Sequence, residues 1–362
     1  MPSYPHLFSA FELGDVTLAN RIVMAPMTRS RATGNIPNDL MAEYYGARAA
    51  GAGLLITEGT APSANGLGYP RIPGLFSPAQ VAGWRKVTDA VHQGGAKIFA
   101  QVMHTGRIGH PHNLPEGGAI LAPSALAAPG EMYTDQEGPL PHPTPRAMRE
   151  SEIHSAIDEF VAAARNAVEA GFDGVELHGA NGYLIDQFIN PIANQRKDGW
   201  GGTPDARNRF AIEVSRRVAE AIGPQRVGIR LSPYGAFNGL TAFDGIDAQF
   251  TELAGALGKL GLAYLHIVDH SAMGAPEVPQ AIKDAMRDAF AGTVILSGGY
   301  DAEKAEADLA AGKGELVAFG RPFIANPDLP RRFLDGADLN EPKPDTFYTP
   351  GVAGYTDYPR AA

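Results

Sequence analysis

The stretch Gly53-Leu54-Leu55-Ile56-Thr57 decides the fold, because its middle is apolar without interruption. A strand with one face in water alternates apolar and polar residues, whereas a parallel strand covered by helices is apolar throughout. Seven other short runs rich in β-forming residues surround this stretch. The eight predicted strands are Ile22–Met27, Leu54–Thr60, Lys97–His104, Phe172–His178, Val227–Pro233, Tyr264–His270, Thr293–Gly299 and Leu316–Pro322.

Segments with helical spacing separate these strands. In the longest segment, Phe160, Ala164 and Val168 recur at four-residue steps along one face. Its N-cap is either Ser151 or a residue of Arg149-Glu150, one turn earlier. Such helices carry the chain back so that the next strand runs parallel to the last. Two further helices are predicted at Pro78–Gln93 and Pro204–Ile222.

Eight strand–helix units predict one domain, a (β/α)8 TIM barrel that comprises residues 1–362. A barrel of this type needs about 250 residues, so the chain has additional segments. We assign the excess to an N-terminal arm, to residues 106–149 and to a C-terminal tail at residues 336–362. The segment 106–149 is rich in Pro and Gly and too long for a plain connection. It is predicted to be a capping segment, or lid, after the third strand.

The composition excludes several classes of protein. The 30 Lys and Arg and 40 Asp and Glu give a net charge of −10, which argues against nucleic acid and anionic membrane as partners. The complete lack of cysteine excludes disulfides, cysteine nucleophiles, thiolate zinc sites and cysteine-ligated clusters. We find neither a signal peptide nor an apolar run long enough to span a bilayer, and we expect a cytoplasmic protein.

The ends of the last two strands are rich in glycine. In a barrel the reacting groups lie at the carboxyl ends of the strands. Gly298 and Gly299 offer bare backbone N–H groups, and Gly320 precedes the charged fork of Arg321. This pattern predicts a phosphate site. A phosphate site alone suits a flavoprotein, or equally a non-redox aldolase or isomerase, although no predicted strand ends in the Lys that a Schiff-base aldolase requires.

The fourth strand ends in three chemically useful groups within six residues. His178 and Asn181 both donate hydrogen bonds, and two donors directed at one oxygen polarise a carbonyl. Tyr183 has a weakly acidic hydroxyl suited to delivering a proton. We therefore predict that these three residues are catalytic. His110 and His112 have no third ligand nearby, so no metal site is predicted.

From residue 4 to residue 360 the sequence resembles the old yellow enzymes, which are FMN-dependent ene-reductases on a (β/α)8 barrel. The absence of cysteine separates it from the dienoyl-CoA reductase branch, which carries a cysteine-bound cluster. The stretches that carry the resemblance are Met24–Arg31, His178–Tyr183, Asn194–Arg196, Asp198–Gly202, Arg230–Pro233, Ala318–Pro322 and Gly354–Pro359.

The resemblance implies an FMN site. Thr28 is expected to bond a flavin carbonyl and to tune the reduction potential. Arg230 is expected to stabilise the negative charge of the reduced flavin. Gln101 should hold the pyrimidine edge. The full implied cofactor site consists of Pro26, Met27, Thr28, Gly59, Gln101, Arg230, Gly298, Gly299, Phe319, Gly320 and Arg321.

The resemblance also implies the reaction. His178 and Asn181 should bind the carbonyl or nitro oxygen of an activated alkene, the flavin should reduce the β-carbon, and Tyr183 should protonate the α-carbon. NADPH or NADH should reduce the flavin from the same cavity, which predicts ping-pong kinetics.

Three further residues are implied to shape the substrate cavity. Tyr69 and Tyr348 match family positions at the cavity wall. Met103 stands where many relatives carry Trp, and a smaller, flexible side chain should open that side. The natural alkene, the choice between NADPH and NADH, and the choice between monomer and homodimer are left open by the sequence.

Overall fold

A computed structural model describes residues 4–361 of the chain, so residues 1–3 and 362 of the predicted domain lie outside the described residues. Eight parallel strands close into a barrel, and each strand pairs with the next one in chain order. The predicted (β/α)8 barrel is confirmed. Its strands are β1 (Ile22–Met24), β2 (Leu54–Ile56), β3 (Lys97–Val102), β4 (Gly174–Gly179), β5 (Val227–Leu231), β6 (Tyr264–Ile267), β7 (Val294–Ser297) and β8 (Leu316–Phe319).

Within residues 4–361, helices surround the barrel, and none of them is long and apolar enough to cross a membrane. Helices α2 and α5 have the predicted bounds. Helix α3 begins at the earlier of the two predicted starts, because the Glu152 carboxylate accepts the Arg149 N–H at 2.8 Å and closes the first turn. The helices are α1 (Asp39–Ala49), α2 (Pro78–Gln93), α3 (Glu150–Glu169), α4 (Leu184–Ile189), α5 (Pro204–Ile222), α6 (Ile246–Gly258), α7 (Gln280–Phe290), α8 (Ala302–Ala310), α9 (Arg321–Ala325) and α10 (Leu329–Asp335).

All strands except β4 end two to four residues before their predicted carboxyl ends. Proline explains several of these differences, since it has no N–H for the ladder. Strand β1 ends two residues before Pro26, and β5 ends two residues before Pro233. The residues predicted as strand ends therefore form loops around the carboxyl mouth of the barrel.

Successive side chains along each strand point alternately toward the surrounding helices and into the barrel. On β4, Val175 and Leu177 pack in the core between strands and helices, whereas Glu176 and His178 point inward. An N-terminal hairpin (Phe11–Leu13 and Val16–Leu18) adds Leu13 and Leu18 to a second apolar cluster inside the barrel. The amino end is thus closed by apolar side chains, and the polar residues lie toward the carboxyl mouth.

Residues 106–149 have structure of their own and contact the mouth of the barrel. Ile108, Ala128 and Met132 form a small apolar cluster, and the rings of Tyr69 and Tyr183 pack against it. The elements of this segment are a 3-10 turn at Pro111–Asn113, a parallel pair of strands at Leu121–Ala122 and Arg146–Ala147, and a hairpin at Glu131–Thr134 and Gly138–Pro141.

The C-terminal tail is held by buried arginines from the loop after β1. Arg29 donates from Nη2 to the Gly354 carbonyl at 2.7 Å. Arg31 donates from Nη2 to the Thr346 carbonyl at 2.8 Å. Because both guanidinium groups are almost fully buried, these charge-assisted hydrogen bonds fix the tail against the first βα loop.

Candidate active site

His178 lies at the carboxyl end of β4 and is only 3% exposed. It stands opposite Arg230 of β5 in the barrel register. Burial, together with the positive charge of Arg230, lowers the pKa of His178 well below its usual value. The ring is therefore neutral at pH 7 and carries a single N–H donor.

Asn181 lies in the left-handed region with φ of 58°. Asparagine tolerates this conformation better than most residues. Its N–H donates to Ser232 Oγ at 2.9 Å, and its carbonyl accepts from Asn238 Nδ2 at 2.7 Å. Its side-chain Oδ1 lies 3.0 Å from Nε2 of His270. Contacts with Ser232, Asn238 and His270 therefore hold Asn181 in this conformation.

Tyr183 precedes α4 and lies beside His178. Its ring centroid is 5.1 Å from that of His178, and its hydroxyl is 3.0 Å from the hydroxyl of Tyr69. Burial, followed by the neighbouring Tyr69, raises the pKa of Tyr183 well above 10. The phenol thus keeps its proton at neutral pH, as a general acid must.

A buried polar layer lies below these groups. Both oxygens of the Glu176 carboxylate are bonded: Gln101 Nε2 donates at 2.8 Å, and the Tyr264 hydroxyl donates at 3.1 Å. Nδ1 of His266 lies 2.8 Å from the same carboxylate. Burial works to raise the pKa of Glu176, but His266 and Arg230 outweigh it, and the pKa falls below its usual value. The carboxylate is therefore ionised beneath the cationic Arg230.

Three buried nitrogens of the mouth and of the polar layer below it have no hydrogen-bond partner among the described residues. They are Nδ1 of His178, Nε of Arg230 and Nε2 of His266. An unpaired buried polar group typically costs about 1–3 kcal/mol, so such groups mark a place where a polar ligand is bound. The heteroatom-rich edge of a flavin fits this set of donors and acceptors.

Glu176 and His266 were not predicted as site residues. The alternation of β4 was the available signal, because a charged residue two positions before His178 shares its inward face. The pairing of Glu176 with His266 has no local signal, because 90 residues separate them.

The two glycines that follow β7 form a bare backbone surface. Gly298 has φ of 127°, and a Cβ there would lie 2.6 Å from the Asp269 carbonyl oxygen. Gly299 has φ of 62°, and a Cβ there would lie 2.5 Å from Cβ of Ala272. No other residue fits these positions without a shift of the neighbouring loop. We name Gly298, Gly299, Gly320 and Arg321 the phosphate cradle, and its open main chain suits a phosphate group.

The other predicted cofactor residues surround this mouth. Residues 26–28 are half-buried in the loop after β1, and Gly59 is buried in the loop after β2. The side chain of Phe319 points away from this mouth. It lies in the core, 5.2 Å from the ring of Phe333, so only the main chain of Phe319 is left for a cofactor contact.

The predicted cavity residues lie at different depths. Met103 is 1% exposed and packs closely on Gly59, where a Cβ would lie 2.5 Å from its Sδ. It therefore fills space within the apolar cluster against which Tyr69 and Tyr183 pack. Tyr348, in contrast, is 62% exposed at the rim.

His110 and His112 of the capping segment form an edge-to-face pair, with ring centroids 4.7 Å apart. Among residues 4–361, no group of three or more His, Asp or Glu side chains is arranged to hold a metal ion.

A (β/α)8 barrel with a bare backbone cradle above a buried ionic layer suits an enzyme with a phosphate-bearing cofactor. Residues 6–340 match the model of the NADH:flavin oxidoreductase / NADH oxidase family, and the chain belongs to that family. It is therefore an FMN-dependent oxidoreductase that takes electrons from NAD(P)H, of the ene-reductase type. The alternative of a non-redox aldolase or isomerase is wrong.

Individual relatives match nearly the whole chain. A chanoclavine-I aldehyde reductase from Penicillium roqueforti is 47% identical, over 97% of this chain and 95% of its own length. A morphinone reductase solved in complex with tetrahydroNAD is 45% identical, with a TM-score of 0.93 over 99% of this chain and 98% of that one. An old yellow enzyme homologue from Zymomonas mobilis is 42% identical, with a TM-score of 0.92 over 98% of this chain and 99% of that one.

Proposed function

We propose that this enzyme reduces the C=C bond of alkenes conjugated to a carbonyl or nitro group, with His178, Asn181 and Tyr183 as its catalytic residues. One observation carries the proposal: a neutral imidazole and a protonated phenol lie side by side at the carboxyl end of β4, with ring centroids 5.1 Å apart, and the Asn181 amide lies between them in the sequence. Bound FMN supplies the redox chemistry, since it accepts two electrons from NAD(P)H and passes them to the alkene.

His178 and Asn181 form what we name the oxygen clamp. Both donate to the carbonyl or nitro oxygen of the substrate, and this withdraws electron density from the β-carbon. A neutral imidazole donates without adding a buried charge, which suits an uncharged substrate. The carboxamide oxygen of the nicotinamide uses the same two donors, so NAD(P)H and the alkene bind in turn.

Tyr183 delivers the proton to the α-carbon. Its raised pKa keeps the hydroxyl protonated, and Tyr69 holds the hydroxyl in place at 3.0 Å. Tyr69, Met103 and Tyr348 form the substrate cavity around it.

The remaining predicted residues hold the cofactor. Gln101 uses its Nε2 on Glu176, and this leaves Oε1 as an acceptor for the flavin imide N–H. Arg230 places a positive charge where the reduced cofactor is negative. The phosphate cradle takes the phosphate. Pro26, Met27, Thr28, Gly59 and the main chain of Phe319 complete the site.

We assign residues 1–362 to a single domain, in which residues 106–149 cap the mouth and residues 336–362 form the tail. The apolar contact of Ile108, Ala128 and Met132 with Tyr183 supports the capping role. We expect a cytoplasmic location, a monomer or homodimer in solution, and use of NADPH or NADH; a comparison of both nucleotides at steady state decides the last point.

The proposal is tested with purified enzyme under anaerobic conditions. The protein should be yellow, should bleach on addition of NAD(P)H, and should regain colour when an enone or a nitroalkene is added. Steady-state rates with both substrates varied should give the parallel lines of a ping-pong mechanism. Bleaching without reoxidation by any activated alkene would contradict the proposed substrate class but leave the flavin assignment intact.

A further inference from the structure

His270 contacts the oxygen clamp without being part of it. It lies in the loop after β6, and its Nε2 is 3.0 Å from Asn181 Oδ1. Its ring packs edge-on against Phe237, with centroids 4.6 Å apart. The imidazole is therefore held both by the amide and by an aromatic ring.

The orientation of the Asn181 amide decides whether this residue can act as a donor. An amide carries a donor NH2 and an acceptor oxygen on opposite arms, and rotation about its last torsion exchanges them. The substrate, nicotinamide and phenolate ligands all present an acceptor oxygen, so only one orientation binds them. Ser232 and Asn238 hold the main chain of Asn181 but leave this rotation free.

The tautomer of a neutral histidine decides between the two orientations. Burial, followed by the charge of Arg230, lowers the pKa of His270 to about 4, while Asp269 opposes this change. With its proton on Nε2, the neutral ring donates to Oδ1 and turns Nδ2 toward the mouth. With its proton on Nδ1, it would accept from Nδ2 and present the wrong arm of the amide.

We propose that His270 is a positioning residue that donates from Nε2 to Asn181 Oδ1 and thereby presents the Asn181 NH2 to the ligand oxygen. This inference rests on the proposed function, in which Asn181 binds that oxygen. His270 is not a catalytic residue, because it acts through Asn181.

The test uses holoenzyme titrated with para-chlorophenol, whose phenolate gives a long-wavelength charge-transfer band with oxidised flavin. His270→Gln can donate from its own NH2 to Asn181 Oδ1, although its amide can also rotate to accept, so it should bind the phenol within about twofold of wild type. His270→Phe removes the orientational preference, so that half of the amides are competent and affinity falls about twofold. His270→Glu accepts from Nδ2 and reverses the amide, which should weaken binding at least tenfold.

The same three substitutions are then made in the Asn181→Ala background. There they should leave the phenol affinity unchanged within about twofold, because the amide they act on is gone. If the carboxylate introduced by His270→Glu simply repels phenolate, that substitution would weaken binding in both backgrounds, and this would overturn the proposal. Equal affinity of wild type and His270→Glu with Asn181 intact would overturn it as well.

A spectroscopic measurement on the wild-type holoenzyme does not depend on any variant. With 15N-labelled histidine, the long-range 1H–15N spectrum should show His270 as the Nε2–H tautomer, and an Nδ1–H tautomer would contradict the proposal. If wild type binds no phenol at all, the proposed function itself fails. If Asn181→Ala lowers the affinity for the phenol but all His270 variants bind the phenol as wild type does, only the positioning role of His270 is refuted.

Discussion

The two sides of the barrel mouth solve different binding problems by different means. On the β4 side, the oxygen clamp and Tyr183 are side chains whose protonation states are set by burial. On the β7–β8 side, the phosphate cradle is mostly main chain that is left bare by glycine.

This difference has a physical reason. A phosphate is a permanent anion, and backbone N–H groups bind it at any pH without a side chain. A carbonyl oxygen becomes negative only during the reaction, so its partners must be positioned donors with a controlled charge. On the β4 side, removal of a functional group should therefore impair ligand binding and catalysis. In the cradle, addition of an atom should impair FMN binding.

The largest effect is expected for Tyr183→Phe. General acid catalysis is typically worth about 10²–10⁴-fold, so enone reduction by the reduced enzyme should fall by that order. Flavin content and the rate of reduction by NAD(P)H should stay close to wild type, and nitro reduction should suffer less. Stopped-flow traces of the two half-reactions measure this, with Tyr133→Phe in the exposed hairpin as control. Equal losses in both half-reactions would refute the assigned role of Tyr183.

Removal of either half of the oxygen clamp should have the next largest effect. Loss of one donor to a desolvated anion typically costs about 1.5–3 kcal/mol, or roughly ten- to more than a hundredfold in affinity. His178→Ala and Asn181→Ala should each lower the affinity for para-chlorophenol by that factor and slow the reduction of the flavin by NAD(P)H. His154→Ala, outside the barrel on α3, is the control. An unchanged charge-transfer titration in both variants would show that other residues bind the ligand oxygen.

Asp186, in α4, should make the stability of the fold depend on pH. Its carboxylate accepts from the Gly182 N–H at 2.9 Å and from the Ser232 hydroxyl at 3.2 Å, and burial raises its pKa to about 7. Because this folded pKa lies above the unfolded value near 4, the acid contributes stability that is fully present below pH 4 and is lost as the pH rises through 7.

The Asp186→Asn variant should lack this loss. From pH 5 to pH 8, the free energy of unfolding of wild type should fall relative to the variant by on the order of 2 kcal/mol. Urea unfolding of both FMN-saturated proteins at the two pH values measures the difference, and Asp205→Asn at the exposed start of α5 is the control. A difference that does not change with pH would show that Asp186 is ionised throughout this range.

A single methyl group added at Gly299 should weaken the binding of FMN to the phosphate cradle. Gly299→Ala places a Cβ against Ala272 and displaces the loop that follows β6, so FMN should bind about tenfold more weakly. Gly312→Ala is a matched control, since φ at Gly312 is 67° and nothing lies within 4 Å of its added Cβ. Both variants carry the same backbone strain. Equal flavin loss from the two proteins on dialysis would mean that strain alone is responsible.

Arg321 should have the smallest effect in this series. Its side chain is exposed, and solvent screens its attraction for the phosphate to about 1 kcal/mol. Arg321→Ala should therefore weaken FMN about fivefold and yield partly colourless protein after dialysis. Arg331→Ala, also exposed, is the control. Full flavin occupancy in Arg321→Ala would place the phosphate elsewhere.

Much of this molecule is encoded in short stretches of sequence. The apolar run at Leu54–Ile56 and the helix ends at Gln93 and Ile222 depend on periodicity and capping, which act over a few residues. For the same reason, the cluster from His178 to Tyr183 and the glycines of the cradle are visible without a structure.

Only the tertiary structure brings together groups that are distant in the chain. The Glu176–His266 pair joins β4 to β6, and the His270–Asn181 contact joins two loops 89 residues apart. These contacts depend on the register and closure of the barrel, which no local pattern determines. The sequence by itself therefore determined which groups are candidates for the chemistry, and the closed barrel decided their charge and orientation, because burial and cross-strand neighbours set both.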